Sequence, residues 1–355
     1  MTPQVTRRRR RPWLRGATVG SVVAVVAMMS TGAAFARDNH VDGSQQIIGL
    51  DLDAPTGITV AGNDLYVANG GNSSVTEVNT TTATRIATIS GRRVDLDDPT
   101  SILTVGADIF VSNGRGNSVT EFKVLGNKKV RSIHRAKYRF ADPIALASSA
   151  GDLFILNAAG TVTEIAIQSG RLVGIVAGSK YGFDDPTGLA IADGLVFVAN
   201  SAANSVTVFS ATSRALIAVL TDPSFGFNTP TGVAFDGSDV WVTDQGDESV
   251  TELSPSTLHR LNVLVSGNLP MVGPITYGDG YVFAVSPPGS SPMVSQIVPS
   301  PASVTWMMCN TNGPYMFNDP QSLVVAGSNL WVANEGGNSL TEMDADTGAL
   351  IRTVS

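Results

Sequence analysis

The chain of 355 residues has one cysteine, three histidines and charged residues at only 15% of positions, and each shortage narrows its identity. With Cys309 alone no intramolecular disulfide can form, so burial must hold the fold together. Cys309 also lies far from the leader, where a lipoprotein would need its cysteine, and within Trp306-Met307-Met308-Cys309 it reads as a small buried hydrophobe. His40, His134 and His259 follow no metal-ligand spacing. No P-loop, nucleotide-binding glycine pattern or Ser/His/Asp constellation stands out. What the chain has in quantity is 43% hydrophobic residues, 36 glycines and 18 prolines, the composition of a globular, turn-rich protein.

Acidic residues are missing from residues 1–36, which carry six arginines, Arg7 to Arg11 and Arg15, then the apolar run Ala17 to Met29 and Ala34-Phe35-Ala36. A basic start, an apolar centre and an A-x-A site predict a cleaved secretory leader. The 13-residue run falls short of the roughly 20 that span a bilayer, so no transmembrane segment is expected after cleavage. Arg10-Arg11-Pro12-Trp13-Leu14 resembles a twin-arginine export signal, with Arg9 where that motif prefers Ser or Thr. Residues 37–44 are then a short linker. Removing six of the 23 basic residues leaves 17 against 30 acidic ones, a net charge of −13, which makes the mature protein a poor general binder of nucleic acid.

The mature sequence is organised by one recurring stretch. LYVANGGNSSVTE from Leu65 returns as IFVSNGRGNSVTE from Ile109, VFVANSAANSVTV from Val196, VWVTDQGDESVTE from Val240 and LWVANEGGNSLTE from Leu330, with a shorter LFILNAAGTVTE from Leu153. Each alternates, breaks at an Asn/Asp and Gly cluster, and alternates again: a strand, a tight turn and a strand. Ahead of each copy stands a proline, Pro55, Pro99, Pro143, Pro186, Pro230, Pro274 or Pro320, at steps of 43 to 46 residues. Four short strands at a period in the low forties predict an all-β, seven-bladed β-propeller over residues 45–355. In the first unit the strands are expected at Thr56–Val60, Leu65–Asn69, Ser74–Val78 and Thr84–Ile89, named A to D from the axis outward. Blade seven is expected from one continuous stretch, with no strand borrowed from residues 41–50.

Between units a second pattern, aromatic-x-Phe-x-x-Pro, recurs at Tyr138/Phe140, Tyr181/Phe183, Phe225/Phe227 and Tyr315/Phe317, with aliphatics at Leu50/Leu52 and Val94/Leu96. Such residues are expected to wedge between blades.

The motifs PTGITVAGNDLYVAN from Pro55, PTGLAIADGLVFVAN from Pro186, PTGVAFDGSDVWVTD from Pro230 and QSLVVAGSNLWVAN from Gln321 resemble the YVTN/NHL group of bacterial propellers. The resemblance covers residues 45–355 except around 270–319. It implies the propeller fold, while the leader is what predicts an exported protein of the bacterial cell envelope or exterior. Relatives of this architecture include sugar-lactone hydrolases, an antibiotic-opening lyase, DNA binders and interaction scaffolds, so it implies no single activity.

In a propeller the B–C and D–A connections surround one mouth of the axial channel. That face is expected to carry Asn69, Asn113, Asn157, Asn200, Asp244 and Asn334, with Thr56, Thr100, Thr187 and Thr231 beside the opening. Such a ring suits a hard cation, but an Asn that ends strand B in nearly every blade reads most simply as an Asx turn, bonding its own backbone two residues on. Glu77, Glu121, Glu164, Glu252 and Glu342 share one strand C position and look like a feature of the repeat. Two departures are more informative. The sixth unit replaces its asparagine with Ser286 and inserts Pro287 to Pro292, a partner-binding loop or a degenerate turn. Lys128, Lys129, Arg131, Arg135, Lys137 and Arg139 are six basic residues without an acid between them, a polyanion stripe or an outer edge guarded by charge.

The function expected is therefore an exported, monomeric binding module that meets a protein or cell-envelope ligand through the B–C/D–A face and uses no cofactor. The alternative is a metal-assisted lactone hydrolase or lyase with a divalent cation at the channel mouth; a third reading is polyanion binding through residues 128–139.

Overall fold

The computed structural model describes residues 49–265, 273–286, 292–309 and 316–355. It consists of seven four-stranded antiparallel sheets, each with its strands in chain order. They run Pro55–Ile89, Pro99–Ile133, Pro143–Val176, Pro186–Leu220, Pro230–Val265, Ile275–Cys309 and Pro320–Val354. The chain is a seven-bladed β-propeller.

Blade 1 shows how the sequence makes the unit. Its strands are Pro55–Ala61, Asp64–Asn69, Ser74–Asn79 and Arg85–Ile89, close to the positions expected from alternation. Burial falls outward: all but one residue of strand B is buried, whereas strand D buries only its last. Strand D can therefore carry Arg, Lys or an exposed aliphatic, while strand B is filled by aliphatic, aromatic and small residues with a buried Asn or Asp at its end. Six of the seven inner strands open on their proline, where a missing N–H costs no ladder bond, and all six show a register shift just after it. The residue before the proline turns the chain with a positive φ: Asp98 at 59°, Asp142 at 54°, Asp185 at 50° and Asp319 at 55°. Aspartate suits this position because its short side chain tolerates the left-handed region better than most.

One blade cannot bury both faces of its sheet, so the cores lie between blades. Trp241 of blade 5 packs with Ile275 and Val282 of blade 6, and Trp331 of blade 7 with Ile58 and Leu65 of blade 1. The expected wedges are there. Tyr138 stacks on Phe140 with centroids 5.5 Å apart, Tyr181 on Phe183 at 5.6 Å and Phe225 on Phe227 at 5.4 Å. The tyrosines add a polar anchor, Tyr138 Oη donating to Gly170 O and Tyr181 Oη to Arg214 O, each at 2.6 Å. Phe317 is buried, and Tyr315 lies outside the described residues.

The ring closes within one continuous blade. Strand D of blade 7 is Leu350–Val354, paired with Ser339–Asp344. Leu50 N donates to Ser355 O at 3.0 Å, and Ile58 N to Ser322 Oγ at 3.3 Å. Residues 1–48, which include the expected leader and linker, lie outside the described residues, as does most of the sixth-unit insertion, 287–291. Ser286 of that unit takes over the turn itself, its Oγ accepting from Met293 N at 2.9 Å.

Candidate functional site

Strands A to D place the B–C and D–A connections at one end of the ring, so the asparagine and threonine positions gather around one mouth of the channel. Their side chains point into the protein. Asn69, Asn113, Asn157, Asn200, Asp244 and Asn334 are all fully buried. Asn69 Nδ2 donates to Ser74 Oγ at 3.1 Å and Thr76 Oγ1 at 3.0 Å, and its Oδ1 accepts from Asp53 N at 3.3 Å. Asn113 repeats this with Ser118, Thr120 and Asp97 N, Asn157 with Thr161, Thr163 and Ala141 N, and Asn334 with Ser339, Thr341 and Asn318 N. Asn200 bonds Ser205 and Thr207. These are not the Asx turns that the sequence suggested as one reading. Four of the carboxamides, those of Asn69, Asn113, Asn157 and Asn334, instead staple the B–C hairpin to the connector that precedes the blade, whereas the Asn200 Oδ1 has no partner among the described residues.

The threonines hold neighbouring blades together. Thr56 Oγ1 donates to Pro99 O at 2.6 Å, Thr100 Oγ1 to Pro143 O at 2.5 Å and Thr187 Oγ1 to Pro230 O at 3.0 Å, each reaching the next blade in the ring. Thr231 is buried and lies 3.1 Å from Thr243 Oγ1, which donates to Gly273 O at the start of blade 6.

Beside the threonines stand residues that the sequence reading passed over, the aspartates before four of the seven prolines, Asp98, Asp142, Asp185 and Asp319. Asp98 and Asp142 reach across to the hairpins of the preceding blades: a Cβ added to Gly70 would meet Asp98 Oδ1 at 3.4 Å, and one on Gly114 would meet Asp142 Oδ1 at 2.7 Å. Burial, and then the Asp98 charge, push the Asp142 carboxyl above its usual range; burial does the same for Asp319. Asp185 Oδ2 accepts from Ser201 Oγ at 2.8 Å, whereas among the described residues no donor reaches the side chains of Asp142 or Asp319. The Asp-Pro pair was visible in the sequence, but its meaning depended on the positive φ that turns the carboxylate toward the mouth.

The basic stretch divides. Strand D of blade 2 ends at Ile133 and a 3-10 turn follows at Ala136–Tyr138, so the shared parity of its cations does not continue past the strand. Lys129 pairs with Asp95, and Arg131 binds Glu121 and the carbonyls of Ile167 and Gln168 in blade 3. Lys137 lies over the Tyr138 ring at 4.9 Å; Lys128, Arg135 and Arg139 are exposed.

The strand C glutamates are seam residues at the opposite end, where the A–B and C–D turns lie. Glu164 pairs with Arg214 of blade 4 at 2.7 Å, and Glu342 pairs with Arg352, which continues to Thr80 O and Thr81 O of blade 1. Tyr66 Oη donates to Glu77 Oε1 at 2.7 Å, and Asn127 Nδ2 of blade 2 to its other oxygen. Among the described residues no three His, Cys, Asp or Glu side chains come together so as to hold a metal ion. Nor, among them, is any helix long and apolar enough to cross a membrane.

No protein-family model and no curated protein sequence matches the chain. Solved structures do. A streptogramin B lyase is similar at TM-score 0.67 and 11% identity, over 81% of this chain and 93% of that one. A functionally unknown protein from Desulfotomaculum acetoxidans matches at 0.65 and 12%, over 82% and 95%. The computationally designed Ika8 protein matches at 0.59 and 16%, over 86% and 88%. At such identities the likeness establishes the fold alone.

Proposed function

We propose that the protein is an exported propeller of the YVTN/NHL kind that binds a protein or cell-envelope partner through its B–C/D–A face. One observation carries the reading. On that face the asparagines and threonines are used up inside the fold, while Asp142 and Asp319 hold carboxylates at the channel mouth that no donor in the described residues reaches. A carboxylate raised by burial gains from a partner that brings N–H or ammonium groups to it. The leader-like residues 1–36 support export, and the net charge of the mature chain favours a basic partner.

The test is binding of a library of short basic peptides to the immobilised chain, repeated with Asp142→Asn/Asp319→Asn and with Lys128→Ala/Arg135→Ala/Arg139→Ala. Retention lost only in the aspartate variant supports the reading. Retention unchanged in that variant overturns it.

A further inference from the structure

In blade 2, two carboxylates at the A–B/C–D end are matched by two cations: Asp108 by Lys123, and Glu121 by Arg131. Arg214 and Arg352 serve Glu164 and Glu342 in the same way. Blade 5 keeps the acids and loses the bases. Glu252 occupies the strand C position beside Asp239, and Ser254 and Asn262 stand where blade 2 has Lys123 and Arg131. The C–D turn of the next blade, which delivers Arg214 to Glu164, here is Pro299-Ser300-Pro301-Ala302. Arg260, the nearest arginine in sequence, turns to the preceding connector, its Nη1 about where a Gly226 side chain would approach at 4.0 Å.

Glu252 is only 7% exposed, and no hydrogen-bond donor or cation of the described residues reaches its carboxyl. Its charged neighbours are Asp239 and Asp236, and Tyr277 of blade 6 faces the same Asp236. Asp236 is already committed, accepting from Ser238 N and Asp239 N at 2.7 Å and from Trp241 Nε1 at 2.8 Å. Among the described residues no side chain donates to Asp239. The seam between blades 5 and 6 therefore holds three carboxyl groups, one of them buried and unpartnered, in the setting where three other blades hold an arginine. Burial first, then Asp239 and Asp236, push Glu252 up to about 7.

We propose that this seam is a docking notch for an arginine side chain of a partner protein, whose guanidinium would bind Glu252 as Arg131, Arg214 and Arg352 bind its counterparts. The planar fork of a guanidinium satisfies both carboxylate oxygens at once, which an ammonium does not. The notch lies at the opposite end of the ring from the B–C/D–A face, so neither proposal depends on the other.

The probe is the blocked tripeptide acetyl-Gly-Arg-Gly-amide, with its citrulline analogue as the uncharged control, added to the full chain at pH 7. The arginine peptide is expected to raise the unfolding temperature and to lower the Glu252 carboxyl titration midpoint, followed by carbon NMR, by about one to three units. Citrulline should do neither. Glu252→Gln should weaken binding by at least about thirtyfold. Asn262→Arg supplies the guanidinium within the chain, so it should raise the unfolding temperature by itself and abolish the response to peptide. No response in the unaltered chain overturns the proposal, as does an equal response to citrulline or one undiminished in both variants.

Discussion

Thr251 Oγ1 donates to Asp244 Oδ2 at 3.0 Å, and this contact sets blade 5 apart from its neighbours. In blades 3 and 4 the same threonine receives a bond from the asparagine and passes its own proton to the connector, Thr163 to Tyr138 O at 2.8 Å and Thr207 to Tyr181 O at 2.7 Å. An ionised Asp244 has no proton to give, so Thr251 must divide one hydroxyl proton between Asp244 and Phe225 O, which lies at 3.4 Å. Burial accordingly pushes Asp244 up to about 8, and its Oδ1 has no partner among the described residues.

Asp244→Asn should therefore stabilise the propeller, by about 1–3 kcal/mol near neutral pH, since the amide supplies a donor without the proton uptake that the raised carboxyl requires on folding. The gain should depend on pH. The folded-state pKa is raised above the ordinary 3.8, so the stability this carboxyl allows is fully present below about 3.8 and is lost as pH rises through about 8. Chemical denaturation at pH 4 and pH 8 should show the two proteins close together at the lower value and the variant ahead at the higher one. Equal slopes with pH would refute the assignment.

Gly174 owes its presence to Arg214. A Cβ there would stand 2.6 Å from Arg214 Cδ and Nε, in the path by which the guanidinium crosses from blade 4 to Glu164. Gly174→Ala should push the arginine aside and leave Glu164 buried with less compensation, at a net cost of about 1–2 kcal/mol despite the roughly 0.5–1 kcal/mol that alanine normally gains over glycine in a strand. The Glu164 carboxyl, already raised by burial, should rise further, as carboxyl NMR would record. A stabilised variant would show that the guanidinium has another route.

The blade count, strand positions and inter-blade aromatics were legible in the sequence because they repeat, and a repeat turns each local pattern into seven tests of itself. Pro55 and Leu65 LYVAN fixed strands A and B to within a residue or two. What the repeat could not reveal is direction. Asn69 and Asp98 both stand at turns near the mouth, yet the first is buried and bonded inward while the second overhangs a neighbouring hairpin. That difference comes from the register shift and positive φ around the proline, which residue type alone does not specify. The paired roles of Arg131 and Glu121 were hidden for a related reason: the stretch of cations is continuous in sequence, but strand D ends midway through it and its partners are divided among Asp95, Glu121 of the same blade and the carbonyls of Ile167 and Gln168 in blade 3.

The threonine ring gives a cleaner test of seam strength. Thr56, Thr100 and Thr187 each donate one bond to the next blade, and valine is close in shape but cannot donate. Each Thr→Val change should cost about 1 kcal/mol, and the triple change about 3 kcal/mol if the seams act independently. A triple variant well above that sum would mean that the blades respond as one ring, each seam depending on the next.

Besides the bonds of Leu50 N to Ser355 O, Ala54 N to Asn338 Oδ1 and Ile58 N to Ser322 Oγ, ring closure rests on Arg352, since among the described residues no strand ahead of blade 1 laces it to blade 7. Its Nε binds Glu342 of its own blade, and its Nη2 reaches Thr81 O at 3.0 Å and Thr80 O at 3.1 Å. Its guanidinium also lies 5.8 Å from the Trp331 ring centroid. Arg352→Met keeps much of the apolar stem, removes the arginine's own polar ties across the seam while leaving Ile58 N on Ser322 Oγ and Ala54 N on Asn338 Oδ1, and leaves Glu342, which is 1% exposed, with Asn329 Nδ2 in place of a cation. The arginine is partly exposed, so the loss should be about 2–3 kcal/mol rather than the full cost of breaking a buried pair. Adding Glu342→Gln should recover part of it, because the stranded charge then disappears. Hydrogen exchange supplies the local reading: amides of Leu350–Val354 should lose protection before those of blades 2 to 4, which have their own seams intact. Uniform loss of protection would place the latch elsewhere, in the apolar packing of Trp331 against Ile58 and Leu65.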